Sequence, residues 1–497
     1  MFLKRVTVKF LAKKNKKSVD NWSQNSLLNQ KKIFQKHMKV LPKTVFGKSI
    51  GAKKHMTVDD FREASPINSY ESLSHLIDRV AQGEKNVLWL GKLLYFAKTS
   101  GTTSGVKYIP LTKEMLQNQI NASKEALLLY AYNNKKYDLI DGKMMFLQGS
   151  PVLKKHKKIH TGRLSGIVAH HIPSFLKSNR LPSLKTNSIK LWEEKLEKII
   201  EETLCSDLRL IGGIPPWVIM YFQKVLEKSN QKSPLKVFPN LSLYVHGGVN
   251  FKPYKNTLEN LLPGVDFLEY YPASEGFIGY QDDITKNELL LLTNHGIFYE
   301  FIDSQNFING NYNRISLSEV VLGKNYVLIL NTCSGLWSYN IGDTIKFVNL
   351  NPYRIVVTGR VKHFISAFGE HVIGKEVESA LESGLKKFGG EVFCFTVCPK
   401  IKTKQGLPYH EWFVEFIKKP ENFSGFCNHL DECVRGQNIY YDDLIKNLVI
   451  KPLVVNCVKV GGFNNYMNSI SKLGGQNKCP SLSNNREIGD FLKNYIE

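Results

Sequence analysis

Apolar positions recur along most of this chain in two alternating rhythms. Short runs such as LLYFA (93–97), YIPL (108–111), SLYVHGG and VDFLEYYP read as strands. Between them, KEMLQNQINASKEALLLYAY and SIKLWEEKLEKIIEETL repeat every three to four residues, as helices do, with Thr112 placed to cap the first. Strand alternating with helix predicts α/β layers. From about 290 to 360 the rhythm changes: ELLLLT, GIFYEFI, NYVLILNT, TIKFVN and YRIVVTG follow one another as strands, which predicts a barrel or small sheet closing the first domain. Beyond it, a helix at KEVESALESGLKKF, strands at EVFCFTV and EWFVEFI and a helix over 439–449 suffice for a small α+β domain. The expected fold is therefore α/β, with a large N-terminal domain (1–360) carrying a β-barrel-like subdomain and a small C-terminal α+β domain (361–497).

Length supports the division, because 497 residues exceed what one hydrophobic core usually serves. Charge adds a feature that the rhythm does not show. The net charge is +23, and residues 1–54 hold fifteen Lys or Arg against Asp20 alone, leaving about +9 for the rest. The same segment has apolar residues at Phe2, Val6, Phe10, Leu27, Leu28, Ile33 and Phe34, as an amphipathic helix lying on a larger body would. A solvated basic face is the plainest reading, and a weak contact with an anionic membrane is the next. No nucleic-acid motif accompanies the charge, so a nucleic-acid partner is not expected. No apolar run is long enough to cross a bilayer, the first residues lack a secretory pattern, and the eight cysteines show no disulfide-framework spacing. A cytoplasmic location is expected.

One loop between two strands carries unusual chemistry: Lys98-Thr99-Ser100-Gly101-Thr102-Thr103-Ser104-Gly105-Val106-Lys107. Two glycines let the backbone turn and approach a ligand, while N–H and O–H groups donate to phosphate oxygens. The segment is not a Walker A loop, because no Gly-Lys-Ser/Thr opens a helix after the last glycine. Composition alone would equally allow a Ser/Thr/Gly hairpin turn. Cys427, His429 and Cys433, with Cys394 and Cys398, lack the paired spacing of a zinc site.

Four further segments follow in order: Gly247-Gly248-Val249, Tyr271-Pro272-Ala273-Ser274-Glu275, Tyr339-Asn340-Ile341-Gly342-Asp343 and Thr358-Gly359-Arg360-Val361-Lys362. Near the C-terminus stands Gly474-Gly475-Gln476-Asn477-Lys478-Cys479-Pro480. Together with the hydroxyl-rich loop these resemble the acyl-adenylate-forming superfamily, and within it the auxin-responsive-promoter family of acyl-acid amido synthetases. The resemblance runs from the helical N-terminus to about residue 482, and it implies a mobile C-terminal lid, ATP and Mg²⁺ as cofactors, and a small carboxylic acid and an amino acid as substrates.

It also implies roles. Ser100, Gly101, Thr102, Thr103, Ser104 and Lys107 would hold the β- and γ-phosphates. Gly248 and Val249 would line the adenine slot, with the Tyr271 ring against the base. Ser274 would donate to the α-phosphate or the substrate carboxylate, and Glu275 would be the Mg²⁺ ligand. Asp343 would accept from the ribose diol, Arg360 and Lys362 would mark the hinge, and Lys478 would meet the negative charge between attacking carboxylate and α-phosphate. Gly162-Arg163-Leu164 would lie near the acyl pocket. Two positions depart from the family: Asn340 and Ser481 stand where arginines are expected, each removing a bidentate donor. A thioester ligase of the same superfamily, and a degenerate protein that binds nucleotide without turnover, are the alternatives.

Overall fold

The computed structural model describes residues 2–497 except 101–105, 173–177, 249–250, 361–363, 366, 369–371, 402, 404–405, 473–478 and 484–485. The chain divides into two compact units. The first comprises Met1–Gly213, Phe238–Gly248 and Asp266–Thr358; the second comprises Ile214–Val237, Val249–Val265 and Gly359–Glu497. The C-terminal unit thus takes in two segments from earlier in the chain.

The first unit is organised by an eleven-stranded sheet. Five strands run parallel at one side: Arg180–Leu181, Lys143–Phe146, Leu208–Gly212, Leu243–Gly247 and Asp266–Pro272. Leu208–Gly212 and Leu243–Gly247 are buried at nearly every position, as parallel strands covered on both faces must be. Asp266–Pro272 then pairs antiparallel with Phe277–Tyr280, and Leu289–Leu291, Tyr353–Arg360, Tyr339–Leu350, Asn325–Thr332 and Ile297–Asp303 extend the sheet in that order. The β-rich stretch from 290 to 360 is therefore no separate barrel. Its strands hydrogen-bond onto the parallel set and make the antiparallel wing of one sheet. A four-stranded sheet of Val106–Leu111, Tyr95–Ser100, Ile159–Gly162 and Lys154–His156 accompanies it.

Thr112 caps helix Lys113–Asn133 as expected: its Oγ1 accepts the Met115 N–H at 3.1 Å and donates to the Cys333 carbonyl at 2.9 Å. The basic N-terminal segment forms two long helices, Phe2–Gln24 and Ser26–Val40. Their buried faces differ from the expected stripe. Ala12, Val19, Trp22, Phe34 and Met38 are buried, whereas Val6, Phe10, Leu27 and Leu28 point to solvent. Polar anchoring fixes the register: the Gln30 amide donates to the carbonyls of Thr293 and Ile297 at 2.9 Å and accepts the Tyr299 N–H at 2.8 Å. A buried glutamine that satisfies three strand-end groups specifies one position for its helix.

In the second unit, strands Glu391–Lys400, Tyr409–Lys418 and Val454–Val458 form a three-stranded sheet, and helices Gly374–Phe388 and Phe423–Gln437 contribute to the core beside it. Val377, Leu381, Trp412, Val414, Phe426 and Leu430 are among the buried residues of that core. This is the α+β composition that the sequence predicts.

Candidate active site

The parallel strands of the first unit present their carboxyl ends to one edge, the place where open α/β sheets bind ligands. Leu243–Gly247 and Asp266–Pro272 are neighbours there, with Gly247 opposite Tyr270. Gly247 has to be glycine: a Cβ would lie 2.2 Å from the Tyr270 carbonyl oxygen. Gly248 follows with φ +78°, a left-handed turn that frees the chain from the strand. The expected adenine-slot turn and the strand that carries Tyr271 are therefore side by side. Val249 lies outside the described residues.

Beyond Tyr271 the chain makes a tight turn. Ala273 and Gly276 exchange backbone hydrogen bonds at 2.9 and 3.2 Å, and buried Gln119 of helix Lys113–Asn133 donates its amide to the Ala273 carbonyl at 2.8 Å. Ile297 closes the turn from below, since a Cβ on Gly276 would come within 2.4 Å of its Cδ1. Ser274 and Glu275 occupy the tip of this pinned turn and are half-buried.

A bulge brings Asp343 to the same place. Strand Asn325–Thr332 pairs with Tyr339–Leu350 in regular register at Leu330↔Tyr339 and Ile329↔Asn340, but the next pair is Val327↔Thr344. Ile341, Gly342 and Asp343 are the residues looped out, with Gly342 at φ +86°. Bulges of this kind re-aim side chains. Here the bulge leaves Asp343 accepting from the Tyr271 hydroxyl, Oη to Oδ2, at 2.6 Å in a buried setting. Two residues 72 positions apart in sequence, each singled out by its own motif, are directly bonded. Asn340 has a local use: its side-chain oxygen accepts the Gly342 N–H at 2.8 Å and stabilises the bulge, so the position where the resemblance leads one to expect arginine serves the turn.

The hydroxyl-rich loop joins strands Tyr95–Ser100 and Val106–Leu111, paired antiparallel down to Ser100↔Val106. Its Gly101, Thr102, Thr103 and Ser104 lie outside the described residues, as do Lys362 and Lys478. Lys107 lies 3.4 Å from the Glu71 carboxylate and 5.3 Å over the Tyr70 ring, contacts that place its charge beside the helix Tyr70–Ala81. Arg360 ends strand Tyr353–Arg360 at an exposed position, directly after Gly359 with φ +146°. Among the described residues no three His, Cys, Asp or Glu side chains converge to hold a metal ion. A Mg²⁺ held mainly by nucleotide phosphates needs only one or two carboxylates, and Glu275 on its turn suits that use.

Several charged groups near this edge belong to none of the sequence motifs. Glu269, two residues before Tyr271 and opposite His246 across the strands, is pushed up to about 7 by burial, and burial pulls His246 down to about 3. Arg180 of the outermost parallel strand is pulled down to about 10 by burial, and its Nε has no partner among the described residues. Lys195 of helix Trp192–Leu204 is only 4% exposed, and burial brings its ammonium down to about 8. A signal for Lys195 exists in the sequence: it falls between Trp192 and Ile199 on the apolar stripe of its helix, where a lysine is out of place.

A parallel sheet with glycine turns at its carboxyl edge, continued by an antiparallel wing and followed by a small α+β unit, is the fold of acyl-adenylate-forming enzymes. Over 96% of this chain and 91% of that one, it superimposes on 2-hydroxyisobutyryl-CoA ligase in the postadenylation state with a TM-score of 0.58 at 13% identity. The agreement is closer with the GH3.15 acyl acid amido synthetase in complex with 2,4-DB: TM-score 0.81, 17% identity, 98% of this chain and 96% of that one. In sequence, the jasmonoyl–L-amino acid synthetase JAR4 of Nicotiana attenuata is 22% identical over 83% of each chain. Profiles of the GH3 family N-terminal domain match residues 15–188 and 152–267, that of its central domain 290–360, and that of its C-terminal domain 375–487. The chain belongs to the GH3 family.

Proposed function

We propose that this protein is an ATP-dependent acyl-acid amido synthetase. In the first half-reaction a carboxylate oxygen of the acid attacks the α-phosphorus of ATP, and pyrophosphate leaves. In the second, the amine of an amino acid attacks the acyl carbon, AMP leaves with the electron pair of the broken C–O bond, and the amine gives up a proton as the amide forms. The observation that carries the reading is the 2.6 Å bond from Tyr271 to Asp343, which joins the Tyr-x-x-Ser-Glu turn to the Gly-Asp bulge. Held this way, the Tyr271 ring can face a base and the Asp343 carboxylate a ribose.

The remaining roles rest on family membership. Ser100, Thr102, Thr103, Ser104 and Lys107 serve the departing pyrophosphate, and Ser274 serves the α-phosphate or the acid. Glu275 would hold Mg²⁺, whose charge would neutralise phosphate oxygens. Lys478 supplies the ammonium that meets attacking and leaving oxygens. An amide product is favoured over a thioester because the family's named members here are amido synthetases. A weak contact with anionic membrane through the N-terminal helix is supported by Phe10, 68% exposed among exposed lysines.

The test is pyrophosphate release from ATP and Mg²⁺ with pooled carboxylic acids and amino acids, wild type against Lys478→Ala. Release that requires an acid, yields a hydroxylamine-resistant product and falls at least about a hundredfold in the variant is expected. ATP binding without release from any pool would move the assignment to a nucleotide-binding protein without turnover. A hydroxylamine-labile product formed only with a thiol acceptor would make it a thioester ligase.

A further inference from the structure

Lys195 has an unusual environment for a lysine. Its ammonium, almost wholly buried, donates one hydrogen bond, to the Gln148 carbonyl at 3.3 Å, and lies 6.0 Å from the centre of the Trp192 ring. Among the described residues no carboxylate accompanies it, and burial alone sets the direction of its pKa. A buried cation is ordinarily paired. The same corner holds two more unsatisfied groups: among the described residues, the buried Gln148 side-chain amide nitrogen and Ser165 hydroxyl find no partner.

These groups share one stretch of backbone. Gln148 and Gly149 follow strand Lys143–Phe146 at its carboxyl end, and the Leu147 N–H still bonds the Gly212 carbonyl of the neighbouring strand at 2.8 Å. On one side Lys195 reaches the Gln148 carbonyl. On the other, a Cβ at Gly149 would lie 2.9 Å from Arg163 Cγ, so glycine is what lets Arg163 approach, and Ser165 Oγ stands at ordinary contact distance, 3.8 Å from the same point. The result is a short loop flanked by a lysine and an arginine, with two spare hydrogen-bonding groups, at the edge where the parallel strands end.

We propose that Lys195, with Gln148 and Ser165, forms a cradle for a substrate carboxylate, and that the carboxylate is that of the acceptor amino acid. This rests on the amido synthetase reading. The acid's own carboxylate loses its charge when the acyl-adenylate forms, so it would leave Lys195 uncompensated in the second half-reaction. The acceptor's carboxylate keeps its charge until the amide is released. A carboxylate accepts up to four hydrogen bonds in a plane and suits an ammonium, an amide N–H and a hydroxyl together.

The experiment uses the full chain and its Lys195→Met variant, which keeps the length of the side chain and removes its charge. Acid-dependent ATP–pyrophosphate exchange needs no acceptor and reports first whether adenylation occurs at all. Where it does, amide formation is measured with the twenty amino acids and with their α-carboxamides. The expected result is a KM for amino acids raised about tenfold or more in the variant, as loss of one charged hydrogen bond gives, with the carboxamides changed less than about twofold. Equal changes for both acceptor classes, or none, overturn the proposal. A rise confined to the acid's KM in the exchange reaction assigns the cradle to the acid's carboxylate instead. If exchange is absent, the melting midpoint is followed with glycine and with sodium acetate against sodium chloride at equal ionic strength. Stabilisation by carboxylate in the wild type that vanishes in the variant upholds the cradle; identical curves for the two proteins sink it.

Discussion

Lys195 is charged where the described residues offer one carbonyl and an indole ring, and that has a consequence for stability independent of any substrate. Its pKa falls from 10.5 to about 8 on folding. Between pH 8 and 10.5 the unfolded chain holds a proton that the folded chain has released, so this group makes the protein more stable as pH rises through that window. Below pH 8 both states are charged and the full burial penalty applies. Lys195→Met is therefore expected to be more stable than wild type at pH 7, by roughly 1–3 kcal/mol, with the gap closing from pH 8 to 10.5. Thermal melts of both proteins across that range check it. A variant that melts lower at pH 7 would mean that the lysine is a structural member of the core. Lys195 also shows what the sequence left hidden at this scale: the residue sits visibly on an apolar helical stripe, but that its partners are Gln148 and Trp192 depends on how a strand end and a helix meet. Tyr271 and Asp343 were legible because each belongs to a local motif, and only their mutual bond required the fold.

The bulge at Ile341–Asp343 is the element on which that bond depends. It offsets the pairing of Asn325–Thr332 with Tyr339–Leu350, and it needs a left-handed residue at Gly342, where nothing lies within 4 Å of a Cβ. Gly342→Ala therefore tests backbone conformation without a clash. The substitution should destabilise the protein by about 1–2 kcal/mol through the left-handed φ, and by turning Asp343 it should raise the KM for ATP severalfold while leaving the KM of the acid within about twofold. Initial-rate kinetics with each substrate varied in turn separate those effects; equal rises in both would mean that the bulge supports the site only through general stability. Strands were the most legible elements of this chain, because period two and apolar runs are local properties. Their order was not. Whether the run from 290 to 360 closed on itself or joined another sheet is decided by pairings such as Leu289↔Ile355 and Gly279↔Leu291, made between distant residues and invisible to periodicity. The N-terminal helices show the converse: helix was legible, but the buried face was not, because Gln30 sets it through strand-end carbonyls and lysines mask the remainder.

Charge is the property of the whole molecule that the sequence displayed most openly, and the fold separates it from stability. Residues 1–54 carry most of the net +23, yet the same residues supply Trp22, Phe34, Met38, Leu41 and Phe46 to buried clusters. Trp22 donates to Glu125 at 3.3 Å, and His37 meets the stacked rings of Trp89 and Trp337 edge-on. Removing 1–54 cannot therefore isolate the role of the basic surface: it strips several large side chains, each worth about 3–5 kcal/mol when truncated in a core, and should leave an insoluble or partly unfolded chain. Substituting the exposed lysines instead is clean. Lys4, Lys9, Lys13, Lys14 and Lys17 lie on the solvent side of helix Phe2–Gln24, and exchanging all five for glutamine should shift the melting midpoint by no more than a degree or two, since isolated surface charges contribute little. Sedimentation with vesicles of phosphatidylserine and phosphatidylcholine then reads the surface by itself. Binding by the wild type that fades with salt and is lost in the five-fold variant would assign these lysines, with Phe10 and Val6 beside them, to a membrane-facing patch. Vesicle binding that is absent in both proteins would make the basic helix face a solvating surface and leave the adenylation chemistry, measured as pyrophosphate release, indifferent to it.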